Sequence, residues 1–118
     1  MVQPLLISST RKSSGKTIIS IGLSGLANNF GYDIQTFKKG PDFIDPSWLT
    51  LASRRPCYNL DFNTMGSEEI KRMYTEKSHG MDFSLIEGTK GLFDGISTVE
   101  DNLYGSATSN IVYKKIIW

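Results

Sequence analysis

Residues 9–17 read Ser-Thr-Arg-Lys-Ser-Ser-Gly-Lys-Thr, STRKSSGKT, and join two runs of opposite habit. Leu5, Leu6 and Ile7 form a short apolar run just ahead, and a helical pattern leaves from Lys16. Strand, small-residue turn, Gly-Lys-Thr and helix make the local plan of a phosphate-binding loop. Backbone N–H groups of such a turn point at anionic oxygens, and the helix dipole favours negative charge there. Ser13 and Ser14 line the turn, Gly15 lets the main chain approach, and Lys16 reaches the outer phosphates. The Thr17 hydroxyl then sits on a magnesium ion. The match to G-x-x-x-x-G-K-[ST] is partial, because Thr10 holds the place of the first glycine and Ser13 and Ser14 stand where glycine is common. An ordinary basic turn before a helix carries the same tripeptide, so the flanking strand and helix decide the reading.

Working outward, residues 4–8 read as a buried strand bounded by Pro4 and Ser8. From residue 16 to 30 the spacing of Ile19, Leu23, Leu26 and Phe30, with Ile18 beside them, predicts one apolar helix face. Gly31 is the expected stop. Residues 33–38 form a second strand anchored by Ile34 and Phe37, so the unit predicts a right-handed crossover and a parallel pair. KKGPDFIDP, residues 38–46, is punctuated by Gly40-Pro41 and Asp45-Pro46 and leaves the carboxyl end of its strand. The phosphate loop leaves the same edge, where ligands of parallel sheets bind, so Asp42 and Asp45 are candidates to face phosphates. Lys38 is either an exposed charge or a second cation reaching a phosphate across that edge.

A short helix is expected over 47–53, with Trp48, Leu49 and Leu51 as core, and a loop over 54–63 broken by Pro56. Ser67 is placed to cap a helix whose first turn holds Glu68 and Glu69, with Ile70, Met73 and Tyr74 inward and Gly80 as its end. Residues 82–86 read as a third strand, with Glu87 at its exit and a glycine-rich loop carrying Asp94 after it. Acidic residues in loops are commonly solvated, yet these stand at the ends of successive strands, as a magnesium nucleotide requires.

The chain has 118 residues, a formal net charge of +1 and one cysteine. That length suits one small α/β domain, the balance of charge gives no bulk attraction to nucleic acid, and one cysteine makes no disulfide framework. No run is long enough for a membrane span and no leader pattern opens the chain, so a soluble cytoplasmic protein is expected. Cys57 lacks a histidine partner and reads as a small, half-buried residue, and His79 suits a helix carboxyl end.

With these residues in hand, the chain resembles the N-terminal, ATP-dependent part of the cobyrinate a,c-diamide synthase family. These are glutamine-dependent amidotransferases of the corrin pathway, related in their nucleotide domain to dethiobiotin synthetase. The resemblance rests on SSGKT at 13–17, FKKGPDFIDP at 37–46 and EGTKGLFDG at 87–95, with NLD at 59–61 also fitting. It implies a P-loop parallel sheet flanked by helices, with residues 1–95 as the nucleotide-binding synthetase segment. It also implies ATP and magnesium as cofactors, an acyl-phosphate route to an amide, and ammonia from a glutaminase domain that is expected to be missing here, so that no glutamine-dependent amidation is expected of this chain alone. Lys16 and Thr17 would then attend the phosphates, Thr17, Asp42 and Glu87 the magnesium, and Asp45, Asp94 and Lys38 the reacting centre. The implied partner is a tetrapyrrole, of the corrin-precursor or sirohydrochlorin type, and a homodimer is compatible with it. Ser13 and Phe43 depart from the family's usual Gly and Tyr. After Tyr104-Gly105-Ser106 the tail no longer follows the pattern, so residues 96–118 read as divergent or truncated, leaving an open sheet edge. A non-catalytic P-loop switch is the alternative, with Arg11 and Lys12 for it and GPDFIDP against it. A non-functional gene fragment is a third.

Overall fold

The structure, a computed structural model, describes residues 4–7, 15–61 and 63–88, and the backbone alone of 115–117. In chain order the elements are β1 (Pro4–Ile7), α1 (Lys16–Asn29), β2 (Ile34–Lys39), α2 (Asp45–Ser53), β3 (Tyr58–Leu60), α3 (Ser67–Ser78), β4 (Phe83–Glu87) and β5 (Lys115–Ile117). The strands make one sheet in the order β3-β2-β4-β1-β5, parallel at every pairing. The expected α/β parallel sheet is therefore present. The β1 and β2 strands, expected as a direct pair, are separated by β4, which returns between them. On the far side of β1, β5 pairs with Leu5–Ile7 and forms that edge of the sheet.

Parallel strands buried on both faces need apolar residues at successive positions, and the alternation sorts them into two cores. Leu6, Phe37, Leu60, Ile86 and, from α3, Ile70 and Tyr74 fill one face. Ile7, Ile34 and Leu85 line the other, beneath Ile19, Leu23 and Ala27 of α1. The α1 face thus differs from the expected one. Leu26 and Phe30 are exposed, Phe30 by 71%, and so is Ile18, while Ser20 and Ser24 are buried. Small side chains let α1 lie close to its neighbours, and α2 packs beside it, with Asn28 Nδ2 reaching the Ala52 carbonyl at 3.4 Å. Gly31 ends α1 as expected, at φ 83, a conformation that only glycine takes without cost.

Three further expectations are corrected. The α2 helix begins at Asp45 rather than Ser47, and of its apolar residues only Leu49 is core, since Trp48 is 55% exposed and Leu51 also faces out. The segment expected as loop contains β3, an edge strand of three residues. Gly66, not Ser67, is the N-cap of α3, and no side chain caps it. Among the described residues no helix is long and apolar enough to cross a membrane.

Candidate functional site

Strand alternation and register build the site. Lys38 of β2 lies opposite Glu87, the last residue of β4, and both fall on the face covered by α1. Glu87 is within the strand rather than at its exit, which is why it is completely buried. Gly15, at φ 89, turns the chain into α1 so that Lys16 and Thr17 open the helix above that same strand end. A Cβ at Gly15 meets no atom within 4 Å, so the requirement there is conformational rather than steric. From the third segment, α2 starts at the same rim with Asp45 as its first residue.

Four side chains consequently converge. The Thr17 hydroxyl donates to Glu87 Oε1 at 2.6 Å and approaches Asp45 Oδ2 at 3.1 Å. One hydroxyl proton cannot serve both acceptors fully. The Lys38 ammonium lies 3.1 Å from Glu87 Oε1, 3.1 Å from Asp45 Oδ2 and 3.2 Å from the Gly88 carbonyl. Glu87 Oε2 is buried and has no hydrogen-bond partner among the described residues. Lys16 is itself 6% exposed, at the first position of α1.

Asp42 has a different part. Its Oδ1 accepts the N–H groups of Ile44 at 2.9 Å and Asp45 at 3.3 Å, and its Oδ2 stays 3.8 Å from the Lys38 ammonium. It therefore ties down the start of α2 and aims Asp45, and it does not reach Thr17. Asn59 of β3 donates to the Asp42 carbonyl at 2.8 Å, and the Gly40 N–H donates to the Leu60 carbonyl at 2.8 Å. The edge strand β3 thus anchors the 40–45 loop, a role invisible in the sequence, where Asn59 appears only within NLD. Ser13, Ser14 and Asp94 lie outside the described residues.

Burial pushes the Asp45 carboxyl up, but the hydrogen bond and charge of Lys38, with the bonds from Thr17 and Asp42, outweigh it and hold the group below the usual carboxylate range. A depressed folded value adds stability above the ordinary carboxylate range, lost as pH falls through the lowered value. Cys57 is half-buried, and burial raises its thiol to about 11, with the charge of Glu87 acting in the same direction. Only the thiolate is nucleophilic, so alkylation of Cys57 at pH 8 is expected to run about 100-fold slower than that of a small free thiol. Timed labelling with iodoacetamide and intact-mass detection measures it. A rate equal to the free thiol's contradicts the burial.

No protein-family model matches the chain. Whole-sequence relatives do. A cobyrinate a,c-diamide synthase from Magnetococcus marinus is 45% identical over 112 residues, which is 95% of this chain and 23% of that protein. One from Syntrophotalea carbinolica is 43% identical over 91 residues, 77% of this chain and 20% of that protein. One from Sulfurisphaera tokodaii is 46% identical over 93 residues, 79% of this chain and 21% of that protein. The chain thus spans about a fifth of the length of the curated relatives it matches. On the strength of that similarity, this chain belongs to the cobyrinate a,c-diamide synthase family.

Proposed function

We propose that the rim holds the triphosphate of magnesium-bound ATP, and that the bound nucleotide drives amidation of the a and c side-chain carboxylates of a corrin-type tetrapyrrole. The observation that carries this reading is the meeting of Thr17, Lys38, Asp45 and Glu87 beside Lys16 at the carboxyl edge of a parallel sheet.

The residues fit a magnesium nucleotide. Magnesium takes one or two carboxylates and completes its shell with phosphate oxygens and water. Thr17, Asp45 and Glu87 would supply that set, with Glu87 Oε2, which has no partner among the described residues, as an acceptor. The geometry favours exchanging the two roles read from the sequence, so that Asp45 faces the metal and Asp42 holds the loop. When held by Thr17, Asp45 and Glu87, the ion would neutralise charge on the phosphoryl oxygens.

The chain's own groups do the rest. Lys16 draws the outer phosphates to the helix N-terminus, and Lys38 adds positive charge from the neighbouring strand. A substrate carboxylate oxygen attacks the γ-phosphorus in line, the bond to the bridging oxygen of ADP breaks, and an acyl phosphate forms. Ammonia then adds to the carbonyl carbon, phosphate leaves with the former carboxylate oxygen, and a proton is lost to give the amide. Asp94, through the family resemblance, keeps a role in positioning the substrate, and ammonia comes from a glutaminase unit outside these residues. Ser13 and Ser14, through the family resemblance, keep a role in binding the phosphates.

Calorimetric titration of the full chain with ATP tests the nucleotide site. One saturable site is expected, weakened at least about tenfold when magnesium is chelated away. Heat of dilution alone, from protein with a cooperative melt, contradicts it.

A further inference from the structure

The Lys38 ammonium has three donors, and all three are spent: on Glu87 Oε1, Asp45 Oδ2 and the Gly88 carbonyl. Its side chain is only 4% exposed and Glu87 is wholly buried, so the ion pair stands apart from water. The two carboxylate oxygens it neutralises are the same two that crowd the single proton of Thr17. Two carboxylates sharing one site, Glu87 buried and Asp45 half-buried, need a cation, and here the lysine is that cation. A magnesium ion bound by these two carboxylates, through Glu87 Oε2 or through the oxygens Lys38 holds, would lie close to the ammonium, and Lys38 cannot keep its present contacts while a second cation sits beside it. Lysine is a compact charge on a flexible four-carbon stem, so it can turn away without any movement of β2. It needs an anion to turn to.

We infer that Lys38 is a resident counter-ion that makes admission of the metal conditional on the triphosphate. In the nucleotide-free protein its ammonium holds Asp45 and Glu87 together and keeps divalent cations out. Phosphate oxygens arriving on Lys16 and the α1 N-terminus offer the ammonium another partner, and its departure frees the carboxylates, with Glu87 Oε2 already without a partner among the described residues. This positioning role rests on the triphosphate reading above. It adds an order of events: a bare metal ion binds poorly, and the metal bound to its nucleotide binds well.

Manganese titration of the full chain, followed by electron paramagnetic resonance of the free ion, tests this with wild type and Lys38→Met. Each is measured alone and with a non-hydrolysable ATP analogue, and thermal melts are recorded with and without manganese. Without nucleotide, Lys38→Met is expected to bind manganese at least about tenfold more tightly than wild type, because the ion then inherits an unpaired carboxylate pair. Its melting midpoint should rise with manganese while that of nucleotide-free wild type stays put. A purely structural ion pair would predict destabilisation with no gain in metal affinity. Equal or weaker manganese binding by the variant overturns the inference, and so does a variant that stays unfolded at millimolar manganese. Wild type that binds no manganese even with the analogue overturns the triphosphate reading as well. Normal binding there, with an unresponsive variant, overturns the counter-ion role alone.

Discussion

Lys16→Ala is expected to lower the affinity for magnesium-ATP by about 100-fold or more, a loss of roughly 2.7 kcal/mol, while leaving a folded protein. Lys16 opens α1 directly after Gly15, at the helix N-terminus, which itself draws anions. Removing it takes away a charge-assisted bond to phosphate that the backbone N–H groups cannot replace. The helix itself tolerates the change, since alanine is the best helix former. Calorimetry on the variant, with a melting curve as a folding control, gives the answer. Affinity within about threefold of wild type would mean that phosphates bind elsewhere.

Phe37→Ala is expected to have the largest effect on stability, about 3–5 kcal/mol. Phe37 is fully buried at the centre of β2 and packs on Tyr74 of α3 with ring centroids 5.2 Å apart. The cost joins lost apolar transfer to a cavity between sheet and helix, and it takes a large share of the stability of a small domain. Lys38 follows Phe37 on the opposite face, so the same strand carries core and site. Urea unfolding should show a lowered midpoint at unchanged slope. A midpoint within error of wild type would argue that α3 does not cover this face.

The elements that were legible in the sequence are those with strong punctuation or long periods. Gly15 and Gly31 bracket α1, and Gly40-Pro41 and Asp45-Pro46 mark the loop that delivers the acidic residues. Lys38 and Glu87 were recognisable as rim residues from their places at strand ends. Their pairing was not, because it depends on β4 slotting between β1 and β2, a long-range choice that no local pattern records. The three residues of β3 are too few for a period of two to show. On α1, hydrophobicity pointed to Leu26 and Phe30, whereas close packing selected Ser20, Ser24 and Ala27.

The exchange proposed for Asp42 and Asp45 rests on a local cause. The α2 helix starts two residues before the expected Ser47, which leaves Asp42 ahead of the first turn, where an aspartate accepts orphan N–H groups, and sets Asp45 at the helix's first position. An aspartate shortly ahead of a proline in the first turn was the signal for that earlier start. Asn59 could not be assigned its part from sequence, since its partner is a backbone carbonyl 17 positions away.

The most direct test of the shared rim is a crystal of this chain grown with manganese and a non-hydrolysable ATP analogue, measured for anomalous scattering. One manganese peak is expected within coordinating distance of the Thr17 hydroxyl and of the Asp45 and Glu87 carboxylates, with Lys38 turned toward phosphate. A peak remote from Thr17, or a nucleotide bound at the amino edge of the sheet, contradicts the account.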